Sequence, residues 1–163
     1  MADEITKRRV VFDASGSITG KMRNEMVVRV TDPEQHSWEM ASDEYAFHGG
    51  DGTAPLPIAY FVAGLASCLM TQIRVFAKRL RIDLKDLEVY CRCEWELTQQ
   101  GRDPYVTAPV GFSFDIEIDS DAPRADIVRL IDVSKQACFI EQTLSRPNVI
   151  AHRLKTQDGW LDV

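Results

Sequence analysis

The chain has no excess of positive charge. Its formal net charge is −6, so it lacks the clustered Lys and Arg that a nucleic-acid or anionic-membrane surface needs to neutralise phosphates. Neither class of partner is expected. It does not open on a basic stretch followed by an apolar one, and its most apolar segment is interrupted by Arg74, Lys78 and Arg79. A leader, a membrane span and a membrane partner are therefore not expected, and the predicted location is the cytoplasm. Cysteine is sparse, with four residues, which does not suit the disulfide framework of a secreted protein. A disulfide here is expected to be catalytic and transient. The strand-like pair Cys91 and Cys93 has no matching second pair of ligands, so neither a metal nor a cofactor is expected. Internal repeats, low-complexity tracts and linkers are also missing, so residues 1–163 are read as one domain.

What is present is periodicity. Residues 8–12 and 25–31 read as strands joined by a polar turn from Ser15 to Lys21, and Ser37 to Ala41 as a third strand. From Pro57 to about Leu80 the apolar residues Ile58, Phe61, Val62, Leu65, Cys68, Leu69, Ile73 and Phe76 run almost all round a helical wheel. Such a helix must be covered on most sides, and a partner subunit could supply the cover. Val89, Cys91, Cys93, Trp95 and Leu97 alternate with polar residues, as do Val110, Phe112, Phe114, Ile116 and Ile118. These are two half-buried strands, and antiparallel pairing is the simple arrangement. Pro123 opens a second helix with Ile127, Leu130, Ile131, Ser134 and Cys138 on one face, and a last strand is expected near Val149 to Leu154. The fold class is α+β.

Two phrases carry the chemistry: GGDGTAPLPIAYFVAGLASC, ending at Cys68, and SKQACFIEQTLSRP, containing Cys138. Each sets a cysteine on an inward helix face. Together they resemble the OsmC/Ohr family, the osmotically inducible protein C and organic hydroperoxide resistance proteins, over most of the chain. The resemblance implies an OsmC-like fold, with antiparallel sheets packed on two long central helices in an intertwined homodimer. It also implies a thiol peroxidase acting on organic hydroperoxides. Cys68 would be the attacking thiolate, Cys138 the resolving thiol, and a dithiol, in this family often a lipoylated protein, the reductant. Cys91 and Cys93 are expected to be spectators packed beside Trp95.

A buried thiolate needs a cation, which hydroperoxide-reducing members supply as an arginine from the first hairpin, oriented by a glutamate in the first turn of the cysteine helix. Here Arg23, ahead of Lys21, is the candidate arginine, but the turn reads Pro57-Ile58-Ala59. Phe139 replaces the proline usual after the second cysteine, and Lys135 replaces a histidine three residues before it. The chain therefore reads as a divergent member. His48, flanked by Glu44 and Asp51, is a candidate substitute for the missing polar network. Phe61, Leu65 and Phe139, with His48, are the expected substrate contacts. Two other readings stay open: a non-enzymatic protein that binds an apolar small molecule at the dimer interface, and a thiol redox sensor.

Overall fold

The structure, a computed structural model, describes residues 6–163. The chain divides into two compact units, Met1–Phe61 and Val62–Val163.

The first unit is built on an antiparallel sheet of β1 (Val11–Thr19), β2 (Arg23–Asp32) and β3 (His36–Ser42), in the order β1-β2-β3. The β1–β2 hairpin is longer than its sequence suggests. Thr19 pairs with Arg23, so the turn is only Gly20-Lys21-Met22, with Gly20 at φ 59°, a left-handed conformation that glycine adopts without a Cβ penalty. The expected turn from Ser15 is instead strand. Ala14-Ser15-Gly16-Ser17 carries no large apolar residue, and β1 is held by its ladder to β2. After β3 the chain makes one turn of 3-10 helix (Ala46–His48) and a loop that closes on itself. Asp43 N–H donates to Pro55 O at 3.2 Å, Gly50 N–H to Tyr45 O at 3.1 Å and Gly52 N–H to Glu44 O at 3.0 Å. Gly50 is required there, because a Cβ would collide with the backbone of Glu44.

The helix α1 (Pro57–Leu80) begins in the first unit and runs through the start of the second. Pro57 suits a first turn, where its missing N–H costs nothing. Leu65, Leu69, Ile73 and Ala77 form its buried stripe, one residue per turn. The second unit adds β4 (Asp86–Thr98) and β5 (Val106–Asp119), antiparallel as expected, then α2 (Arg124–Ala137), α3 (Phe139–Leu144) and a hairpin of β6 (Arg153–Thr156) and β7 (Gly159–Asp162). Leu69, Ile73 and Ala77 of α1 meet Leu130 and Cys138 in one buried cluster, with Leu87, Phe114, Ile116 and Ile118 of the sheet packed against it. Ser134, also fully buried, is satisfied by donating to Leu130 O at 2.7 Å.

Several expectations change. The register of β4 and β5 shifts between Glu94 and Trp95, a bulge that accommodates Pro109 without its N–H and leaves Val110 63% exposed instead of inward. α2 stops at Ala137, and Cys138 takes an extended conformation (φ −71°, ψ 110°) between α2 and α3. The chain from Val149 to His152 forms no strand; the C-terminal structure is the β6–β7 hairpin. The apolar run of α1 is not cut short by Arg74, Lys78 and Arg79, for by length and composition alone it could cross a membrane, and an 18-residue stretch of it is only 17% buried.

Candidate functional site

Within the second unit, Cys68 packs against the buried cluster that contains Cys138. Local packing explains the proximity. Gly64 stands one turn before Cys68 in α1, and a Cβ there would meet Ile140 Cδ1 of α3 at 3.3 Å. The small residue lets α3 approach closely and carry Cys138 with it. Cys138 is fully buried, and its thiol is pushed up to about 11. Burial is the main cause, with contributions from Cys68. The main-chain N–H groups of Glu141 and Ile140 point at the sulfur and oppose the rise. Cys68 is partly buried, and all four cysteines are free thiols.

Cys91 and Cys93 share one face of β4, their sulfurs 3.7 Å apart. Burial, then Cys93, pushes the Cys91 thiol up to about 11. Among the described residues no group of three or more potential metal ligands occurs.

The first unit organises the hairpin cations. Lys21 pairs with Asp51 at 2.5 Å, both exposed. Arg23 is held more elaborately. Its Nε donates to Glu25 Oε1 at 2.6 Å, and its Nη1 donates to Thr53 O at 3.1 Å and Thr53 Oγ1 at 2.9 Å. Thr53 is itself fixed by Asp43, whose Oδ2 accepts from Thr53 N at 2.9 Å and Thr53 Oγ1 at 2.7 Å. Asp43 Oδ1 accepts from Glu44 N at 2.8 Å. Asp43 is 2% exposed. The Thr53 bonds, with Glu44 N–H and the Arg23 charge, hold its carboxyl below the usual range despite burial. The resemblance implies an orienting glutamate in the first turn of α1, where Ile58 stands; Glu25 and the Asp43–Thr53 pair fix the guanidinium from strand and loop instead. A Thr or Asp in a Gly/Pro loop is common turn chemistry, so nothing in the sequence singled them out.

His48 Nδ1 lies 2.8 Å from Glu44 Oε2, and its ring meets Phe47 edge-on at 4.7 Å. Both border a pocket of ≈ 380 Å³ lined also by Tyr45, Leu56, Pro57 and Ile58. Of the expected substrate contacts, His48 lines this pocket. Phe61 is partly buried in α1, Leu65 lies in the core, and Phe139 is 61% exposed.

The model of the OsmC-like protein family matches residues 50–153, more than half of the chain. The chain belongs to the OsmC-like family. The family member is similar to an OsmC-like hydroperoxide resistance protein from Jannaschia sp., at 44% identity over 94% of this chain and 98% of that one, with a TM-score of 0.65. An OsmC-like protein from Mycoplasma pneumoniae shares the fold at 17% identity, covering 83% of this chain and 87% of that one, TM-score 0.60. So does an organic hydroperoxide resistance protein OsmC from Legionella pneumophila, at 18% identity, covering 86% and 91%, TM-score 0.54. A comparison with curated proteins finds no match.

Proposed function

We propose that this OsmC-like protein is a cytoplasmic, homodimeric thiol peroxidase that reduces organic hydroperoxides. The observation that carries the proposal is the packing of Cys68 against the buried cluster that contains Cys138. The 44% identical protein named for hydroperoxide resistance supports the choice of oxidant. In this reading the Cys68 thiolate attacks the outer oxygen of ROOH, the O–O bond breaks, and the alkoxide leaves as ROH after taking a proton. Cys68 becomes a sulfenic acid. Cys138 displaces its oxygen as water, giving a disulfide, and an external dithiol, such as a dihydrolipoyl group, reopens it. Arg23, held by Glu25 and Thr53, is the cation assigned to Cys68.

Dihydrolipoamide-dependent turnover of cumene hydroperoxide is expected for the wild-type protein and none for Cys68→Ser. Cys138→Ser should complete one reduction and then accumulate sulfinic acid at Cys68 by mass spectrometry, since a sulfenic acid without a resolving thiol climbs the oxidation ladder. A Cys68→Ser variant with undiminished turnover would sink the assignment.

One feature favours a second reading. The pocket at Tyr45, Phe47, Leu56 and Ile58 is lined mainly by apolar side chains, and Ile58 occupies the place of a polar residue. A non-enzymatic binding protein would show apolar-ligand affinity that survives Cys68→Ser, with no hydroperoxide turnover in the wild type.

A further inference from the structure

Cys91 and Cys93 take no part in the peroxide chemistry above, yet their sulfurs stand 3.7 Å apart on one face of β4. Both are partly buried free thiols. The strand itself sets the pair, since side chains two apart in an extended chain leave from the same face. Phe112 and Phe114 of β5 stand opposite Cys93 and Cys91 in the ladder, and the next inward residue, Trp95, meets Phe112 edge-on at 5.6 Å. Arg92 and Glu94 pair with each other on the exposed side of the strand. Among the described residues no third His, Cys, Asp or Glu joins the two sulfurs as a metal ligand.

A direct disulfide fits this pair poorly. Residues two apart in a strand hold their Cα atoms about 6.6 Å apart, at the long end of what a disulfide spans, and the sulfurs would have to close to about 2.0 Å. Structural zinc also fits poorly, because it takes four ligands and needs its thiols ionised. Burial and the neighbouring Cys93 instead keep Cys91 protonated, its thiol pushed up to about 11. A single atom bonded to both sulfurs fits well. Two bonds to sulfur of about 2.3 Å, the length found at zinc, span about 3.8 Å at a tetrahedral angle, close to the gap already present. The centre that suits the site therefore bonds two sulfurs, accepts them as neutral thiols and brings its remaining substituent with it.

We propose that Cys91 and Cys93 form a chelating site for trivalent organoarsenicals, whose arsenic bonds two sulfurs and one carbon. With an arsonous acid, RAs(OH)2, two As–O bonds break and two As–S bonds form, and the two S–H protons leave with the hydroxyl groups as water. Nothing is oxidised or reduced. The product is neutral, so no unpaired charge is left on a partly apolar face. An aryl group on the arsenic is matched by the neighbouring rings of Trp95 and Phe112.

The experiment uses phenylarsine oxide and is independent of the peroxidase reading, because the other thiol pair is removed. The full chain carrying Cys68→Ser and Cys138→Ser is titrated in excess glutathione, a monothiol that competes away arsenic held by one sulfur, and the bound arsenical is read by intact mass. One adduct per chain is expected, released by dithiothreitol. Adding Cys91→Ser or Cys93→Ser should weaken binding about 10²-fold, the advantage of a second donor linked to the first. Undiminished binding in either triple variant, or no adduct in the double variant, overturns the site. The wild-type protein gives a check that needs no variant: phenylarsine oxide should protect Cys91 and Cys93 together from N-ethylmaleimide in peptide mapping. Labelling of both to the same extent with and without the arsenical also overturns the site, whatever becomes of Cys68 and Cys138.

Discussion

Single side chains contribute to the pH dependence of stability. The thiols of Cys138 and Cys91 are both raised in the fold from 9.0 to about 11. The folded state therefore holds these protons more tightly than the unfolded chain. The associated stability is fully present below pH 9 and is lost as pH rises towards 11. Urea titrations at pH 8, 9.5 and 11 should show falling stability, with a shallower fall in Cys138→Ala. Asp43 behaves oppositely, because its carboxyl is held low; its contribution is present at neutral pH and lost on acidification. At the same scale, Arg23 is gripped at two points, Nε by Glu25 and Nη1 by Thr53. A lysine cannot reproduce that grip. Arg23→Lys and Thr53→Val should each lower kcat/KM for cumene hydroperoxide several-fold, and Glu25→Gln somewhat less, since that pair is partly exposed. A Thr53→Val enzyme of unchanged kcat/KM would show that the orientation of Arg23 is irrelevant to the rate.

Among the elements, α1 and α2 both contribute to the buried cluster, and their buried residues are the sensitive ones. Leu69→Ala or Leu130→Ala removes a side chain that is essentially unexposed and should cost about 2–5 kcal/mol of unfolding free energy by denaturant titration. Val128→Ala, at a residue 52% exposed on α2, should cost well under half as much. This packing was largely legible in the sequence. Pro57 and the apolar spacing marked α1, the strict alternation marked β4 and the second half of β5, and the stripe from Ile127 to Ser134 marked the buried face of α2. Three features were not legible. Small polar residues hid the second half of β1, the bulge beside Pro109 reversed the alternation at Val110, and α2 ends before Cys138 without a proline or glycine to announce it. The candidate site divides in the same way. Its cysteines stand in recognisable phrases, whereas Glu25, Thr53 and Asp43 gain their roles from hydrogen bonds between strand and loop, which one-dimensional spacing does not encode.

For the molecule as a whole, the telling observation is how little of α1 one chain covers. Only Leu65, Leu69, Ile73 and Ala77 are buried along its 24 residues, while Ile58 and Val75 are exposed, as are Tyr90 and Val110 on the sheet. Apolar surface on this scale favours association, and the proposed dimer would supply the cover. Sedimentation at micromolar concentration should give twice the mass of 18.4 kDa, with more than the roughly 800 Å² per partner of a standard interface removed from solvent. A stable, folded monomer under those conditions would refute the dimer.

The break in the backbone at Cys138 has a mechanical meaning. A cysteine in mid-helix can move its sulfur only by changing rotamer or by bending a hydrogen-bonded rod. Cys138 instead occupies a joint, tied by its N–H to Lys135 O at 3.4 Å and by its carbonyl to Gln142 N–H at 2.9 Å. Rotation about one residue can bring the sulfur to a partner and back while both helices stay wound. In the proposed cycle, oxidation and reduction should therefore register in amide exchange at Ile140 to Gln142 and leave the protection of α2 almost untouched.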